Sequence, residues 1–124
     1  MTMRLIAVSL ILSFAISMQS CEKELTPVVE RETITRSLKV NEGYQFDLGA
    51  FGDEEGAAIS IQANHFFSSD LHIDVNTGRI TYTYRPARDF IGSDEVEIRS
   101  ARGSNGASQN NKISFTVIKF TIKD

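Results

Sequence analysis

The chain of 124 residues holds one cysteine, no tryptophan, two prolines and two histidines. A single thiol excludes a disulfide framework, and with only two histidines beside it there is little stock for a metal centre. Basic residues are not in excess, 13 Lys and Arg against 16 Asp and Glu, so the electrostatic footprint of a nucleic-acid binder is missing. Helix-length segments with a 3.6-residue apolar period are absent from the chain after its first twenty residues. The length leaves room for one domain.

What is present begins with an address. Arg4 is the only charge before Glu22, and residues 5–18 read LIAVSLILSFAISM, an apolar run interrupted only by serines. The uncharged stretch 5–20 is shorter than the roughly 20 residues a bilayer-spanning helix needs, and small Ser20 stands directly before Cys21. Residues 1–20 are therefore expected to be a cleaved signal peptide. The only thiol sits where this leader meets the polar run Glu22, Lys23 and Glu24.

Met18, Gln19, Ser20 and Cys21 resemble the lipobox of bacterial lipoproteins, which implies lipidation of Cys21 and attachment to a membrane. Each buried methylene of an acyl chain contributes about 0.8 kcal/mol, so several chains on one residue anchor firmly. Glu22, Lys23 and Glu24 resemble the charged stretch that follows the cysteine in Bacteroidetes lipoproteins, which implies an outer-membrane location on the periplasmic or the cell-surface face. Residues 21–32 are polar and contain Pro27, and are expected to form a flexible tether, with the folded domain occupying 33–124.

Within that domain apolar residues alternate at strand period. Ile34, Leu38 and Val40 share one parity; so do Tyr44, Phe46 and Leu48; Ile59 and Ile61; Leu71 and Ile73; Ile80, Tyr82 and Tyr84; and Val96 and Ile98. In the last run Ile113, Phe115 and Val117 are odd while Ile118, Phe120 and Ile122 are even. A β-bulge at 117–118 would keep one side inward, and a strand covered on both faces is the other solution. Turn signals at 41–43, 52–56, 76–78, 92–93 and 103–111 give about seven antiparallel strands. With no helix to cover a single sheet, two packed sheets are expected, with a small closed barrel as the other solution.

The segment Gly78-Arg79-Ile80-Thr81-Tyr82-Thr83-Tyr84-Arg85-Pro86, continuing through Phe90, Gly92, Asp94 and Val96, resembles the pattern G-x-I-x-Y-x-P then F-x-G-x-D-x-V of bacterial cadherin-like and immunoglobulin-like domains. The resemblance implies an all-β, immunoglobulin-like sandwich used for adhesion, spacing or binding. Physical reading assigns the same residues structural work: Tyr82 and Tyr84 fill the core, Pro86 ends a strand, Phe90 plugs the connection, and Asp94 accepts bonds from nearby amides.

Catalytic chemistry finds little support. His65 or His72 with Ser68 and Ser69 would be the material for a nucleophilic site, yet both histidines are expected at the surface. Asp53, Glu54 and Glu55 are adjacent in one glycine-flanked loop, where they would solvate a turn rather than face one another across a cleft. No cofactor is expected; calcium in that GDEEG loop, or at a convergence of Asp70, Asp74, Asp89 and Asp94, is the one metal reading, and the loop lacks the alternate-residue spacing of a dedicated calcium site. The chain is expected to be a non-catalytic protein-binding or accessory lipoprotein, the other reading being a glycan-binding one in polysaccharide capture. Two loops are the candidate surfaces. In residues 101–111, ARGSNGASQNN, the candidates are Arg102 as an anchor with Ser104, Asn105 and Gln109 as adaptable polar contacts. In residues 62–70 the adjacent Phe66 and Phe67 cannot both point inward from an extended backbone, which leaves one phenyl for a partner or draws the loop into the core.

Overall fold

Alternation of apolar and polar side chains becomes seven strands in the computed structural model, which describes residues 26–104, 106 and 109–124. They are β1 (Val28–Lys39), β2 (Tyr44–Ala50), β3 (Gly56–Ile61), β4 (Phe66–Ile73), β5 (Arg79–Pro86), β6 (Gly92–Arg102) and β7 (Lys112–Lys123). The order β1-β7-β6-β3 makes one sheet and β2-β5-β4 the other, and the pair packs as a β-sandwich. The leader, Cys21 and Asn105 lie outside the described residues.

The core is the inner face of the alternating runs. Tyr82, Tyr84, Val96, Ile98, Ile118, Phe120 and Ile122 are all at most 1% exposed, with Leu38 and Ala63 beside them. The Tyr84 ring stacks on Phe120 from the facing sheet at 4.0 Å between centroids, and Tyr44 meets Phe120 edge-on at 5.6 Å. Burial lifts the Tyr82 hydroxyl to about 12 and the Tyr84 hydroxyl further still, so both remain neutral donors. Tyr82 and Ser69 share a hydrogen bond of 2.7 Å between the two hydroxyls, and Ser69 is also 2.6 Å from the Gln62 amide oxygen. No buried side-chain polar atom among the described residues lacks a partner.

Three expectations need correction. The strands are not all antiparallel, because β1 runs parallel to β7 over its whole length, from Val28 opposite Lys112 to Lys39 opposite Lys123. Residues 28–32, expected to lie outside the folded domain, belong to β1. Their side chains, Val28 and Val29 followed by three charged residues, are all exposed and do not alternate, but the backbone pairs with β7 while Glu30 meets Lys112 at 3.2 Å and Thr116 donates to Glu32 at 3.0 Å. Finally, β7 carries no bulge, since its registers with β1 and β6 run without a shift.

Both faces of β7 are covered instead. Ile118, Phe120 and Ile122 face the core, while on the outer face Arg31 of β1 lies 4.9 Å from the Phe115 ring and reaches Glu97 of β6 at 2.5 Å. Ser60 of β3 donates to the same carboxylate at 2.7 Å. This polar strap crosses all four strands and leaves Val117 and Glu97 only 7% and 8% exposed. The Ser60 hydroxyl, and after it the Arg31 guanidinium, hold the Glu97 carboxyl below the ordinary glutamate range.

Candidate functional site

Strand direction sorts the loops onto two ends. Because β6 runs from Gly92 to Arg102 and β1 starts opposite the start of β7, the beginning of β1 shares one end with loops 51–55, 74–78 and 103–111. The Val28 amide donates to the Asn111 carbonyl at 2.8 Å, joining chain entry to the last of these loops. The opposite, far end holds loops 40–43, 62–65 and 87–91, together with Phe66 and Phe67 at the start of β4. The two surfaces singled out in the sequence thus lie at opposite ends of the sandwich.

At the N-terminal end the loops are bonded to one another. The Arg102 guanidinium donates to the Leu48 and Ala50 carbonyls at 2.7 and 2.6 Å and lies 3.5 Å from the Phe51 ring centroid. Arg102 is therefore committed to holding the β2–β3 loop. Glu55 accepts the Gly103 amide at 2.7 Å and the Gly52 amide at 2.9 Å, and those two bonds keep its carboxyl below the usual range. Glu54 accepts from the Ser104 hydroxyl at 2.7 Å, and its carbonyl receives the Asn110 side-chain amide at 2.9 Å. The acidic loop is thus not merely solvated; its carboxylates hold Gly103 and Ser104, and the Glu54 carbonyl holds Asn110. Gln109 is exposed.

The β4–β5 turn joins this cluster through its backbone. Phe51 donates to the Gly78 carbonyl at 3.0 Å, and Gly78 itself has φ of +68°, with no space for a Cβ beside the Phe51 carbonyl oxygen. Only glycine meets both conditions. Asp74 accepts the Asn76 amide at 2.9 Å, which with the Thr77 hydroxyl lowers its carboxyl pKa.

The far end is built on Asp94. Its buried carboxylate accepts the amides of Asn64 at 2.8 Å, His65 at 2.9 Å and Glu95 at 2.9 Å, and the Tyr84 hydroxyl at 2.9 Å. The β3–β4 loop is thereby fastened to the start of β6. The His65 ring stacks on Phe90 at 4.4 Å, and the Phe90 ring leaves no comfortable room for a Cβ at Gly92, whose φ is +144°. Asn41 and Asp89 exchange two hydrogen bonds of 3.1 and 3.0 Å, tying the β1–β2 turn to the β5–β6 loop.

On this frame the two phenyl groups differ: Phe67 is 76% exposed, while Phe66, opposite the buried Pro86 of β5, is 38% exposed. The register between β4 and β5 slips between Phe66 and Ser68, so Phe67 is the extra residue of a bulge and is carried off the inner face. Neither phenyl belongs to the buried core cluster. Phe67, Arg85, Pro86, Arg88 and Asn41 enclose a shallow depression of about 230 Å³. Arg85, Arg88 and Asn41 were not among the sequence candidates, although the run Arg85-Pro86-Ala87-Arg88 places two cations around a strand-ending proline.

The material for catalysis is dispersed. Ser69 is buried and engaged by Tyr82 and Gln62, His72 is 3.0 Å from the Thr83 hydroxyl, and His65 is stacked on Phe90. Among the described residues no three His, Cys, Asp or Glu side chains gather as metal ligands, and no helix is long and apolar enough to cross a membrane.

No family model and no curated protein matches the chain. Among solved structures it is similar to PbICP-C, determined in complex with falcipain-2, at 18% identity and a TM-score of 0.49 over 79% of this chain and 92% of that one. It is similar also to the cysteine protease inhibitor EhICP2 from Entamoeba histolytica, at 9% identity and a TM-score of 0.41 over 77% and 98% of the two chains. A third similarity is to the endo-fucoidan hydrolase MfFcnA4 (H294Q) of glycoside hydrolase family 107, at 10% identity and a TM-score of 0.47. It covers 83% of this chain and 14% of the hydrolase.

Proposed function

We propose that the protein is a non-catalytic outer-membrane lipoprotein of Bacteroidetes type, held by a lipidated Cys21, whose immunoglobulin-like, cadherin-like sandwich presents its far end to a protein partner. The observation that carries this reading is the polarity of the fold. The chain enters β1 at the end where three loops are bonded together, and the exposed phenyl pair stands at the other. Cys21 is seven residues before Val28, and seven extended residues reach at most about 25 Å. A lipid on Cys21 would keep the N-terminal end beside the bilayer and turn Phe66 and Phe67 away from it.

The absence of tryptophan and the burial of Tyr82 and Tyr84 weigh against a sugar-stacking platform, and the engaged Ser69 weighs against a nucleophilic site. Labelled palmitate should enter the wild-type protein and not Cys21→Ala; equal labelling of the two would falsify the anchor. A photoreactive residue at position 67 should crosslink a protein in intact cells, whereas one at position 109 should not. Crosslinking from 109 alone would reverse the assignment of the two ends, and a glycan adduct at 67 would replace the protein partner by a polysaccharide.

A further inference from the structure

We propose that the depression bounded by Phe67, Arg85, Pro86, Arg88 and Asn41 docks an acidic segment of the partner protein, with an apolar side chain against Phe67 and carboxylates on the two guanidiniums. The inference rests on the far end being the binding end. Charge is the first argument. The lining holds two cations and no anion, and the Arg85 side chain forms no hydrogen bond or ion pair among the described residues. Arg88 has only Asp89 at 3.8 Å, with the two side chains 91% and 76% exposed, and such a contact is worth little. Asp89 is itself occupied by Asn41, through reciprocal bonds. Both guanidiniums are thus open to the bidentate carboxylate pairing that arginine favours.

Shape is the second argument. At about 230 Å³ the depression falls below the roughly 300–1,000 Å³ of small-molecule pockets, which suits a side chain or two of a larger partner. Its floor is fixed before binding: Pro86 is buried and paired with Phe66, and the Asn41–Asp89 exchange locks the two bordering turns, so little ordering entropy is lost on docking. Phenylalanine and arginine are both enriched in protein–protein interfaces, and here Phe67 stands exposed beside two arginines.

The test uses the full lipoprotein in detergent and a fluorescent peptide alternating Glu and Phe, with a Lys and Phe peptide as control. The acidic peptide should bind, the basic one should not, and Arg85→Glu with Arg88→Glu should weaken binding at least tenfold at unchanged melting temperature. Arg88→Gln, at a fully solvated position, should weaken it severalfold and serves if the double variant fails to fold. Equal binding of the two peptides, or no effect of either variant, overturns the proposal, as does preference for vesicles of phosphatidylglycerol over the acidic peptide. Crosslinking from position 67 separates the two levels. A partner still captured by the charge-reversed protein sinks the acidic segment and leaves the binding end standing, whereas no partner from position 67 sinks both.

Discussion

The two ends of the sandwich treat the two candidate loops in opposite ways. Residues 103–111 are rich in Ser, Asn and Gly and look adaptable, yet Gly103, Ser104, Asn110 and Asn111 are tied to Glu55, Glu54 and the chain entry. Residues 62–70, with two adjacent phenylalanines, suit either the core or a partner, and Phe67 is left in solvent with Phe66 partly exposed beside it. Polar loop residues are sticky toward each other when strand order brings three loops to one end, and a single-residue bulge suffices to eject an aromatic. Composition describes what a loop can bond to, and topology decides whether neighbours have already claimed it.

The contrast is broken most severely from below. Tyr84→Ala should cost about 3 to 5 kcal/mol, the usual range for a buried aromatic truncation, because it removes both the Phe120 stack and the hydroxyl on Asp94. Thermal or urea denaturation would measure it, and a loss below 1 kcal/mol would show that the far end does not depend on this hub. At the N-terminal end Arg102→Ala removes two charge-assisted bonds and a cation–π contact, about 2 kcal/mol together, or a fall in melting temperature on the order of 10 °C. An unchanged melting temperature would return Arg102 to the role of a free anchor.

Acid should loosen the N-terminal end locally. The Glu55 and Asp74 carboxyls are held below their ordinary values by backbone amides, so the stability they contribute is present above their unfolded values of 4.5 and 3.8 and lost as pH falls through the lower folded ones. Amide exchange at Gly103, Gly52 and Asn76 should accelerate, relative to the intrinsic rate, as pH drops below about 4. Protection that stays constant down to pH 2 would remove the carboxylates from the account. The Tyr82 hydroxyl has the opposite sign: raised to about 12, it contributes stability below pH 10 that is lost as pH climbs toward 12. The smallest effect belongs to Phe67→Ser, which should alter stability by no more than about 0.5 kcal/mol while abolishing partner capture. A clear drop in melting temperature would make Phe67 a structural residue and dissolve the contrast between the ends.

Much of the fold is legible wherever one face of a strand is dry. Ile80, Tyr82 and Tyr84 alternate with threonines and fill the core as their parity requires, and Asp94 caps the start of its strand by accepting amides. Legibility ends where backbone pairing does not need apolar side chains, as in residues 28–32, and where a strand is apolar on both faces, as in β7 under Arg31 and Glu97. The candidate site is less legible than the fold. Phe66 and Phe67 are conspicuous as neighbours, but Asn41 and the run 85–88 come from separate segments that only the fold brings beside Phe67.

The parallel pairing of β1 with β7 also sets how the domain carries load. If Cys21 carries the lipid proposed above, a pull on the N-terminus would act along the axis of β1 and against a ladder running from Val28 to Lys39. All its rungs are then sheared together instead of being peeled one after another, and the Arg31–Glu97 strap lies across the direction of slip. Tugged by a partner gripping its far end, the domain would bear the force across its longest ladder.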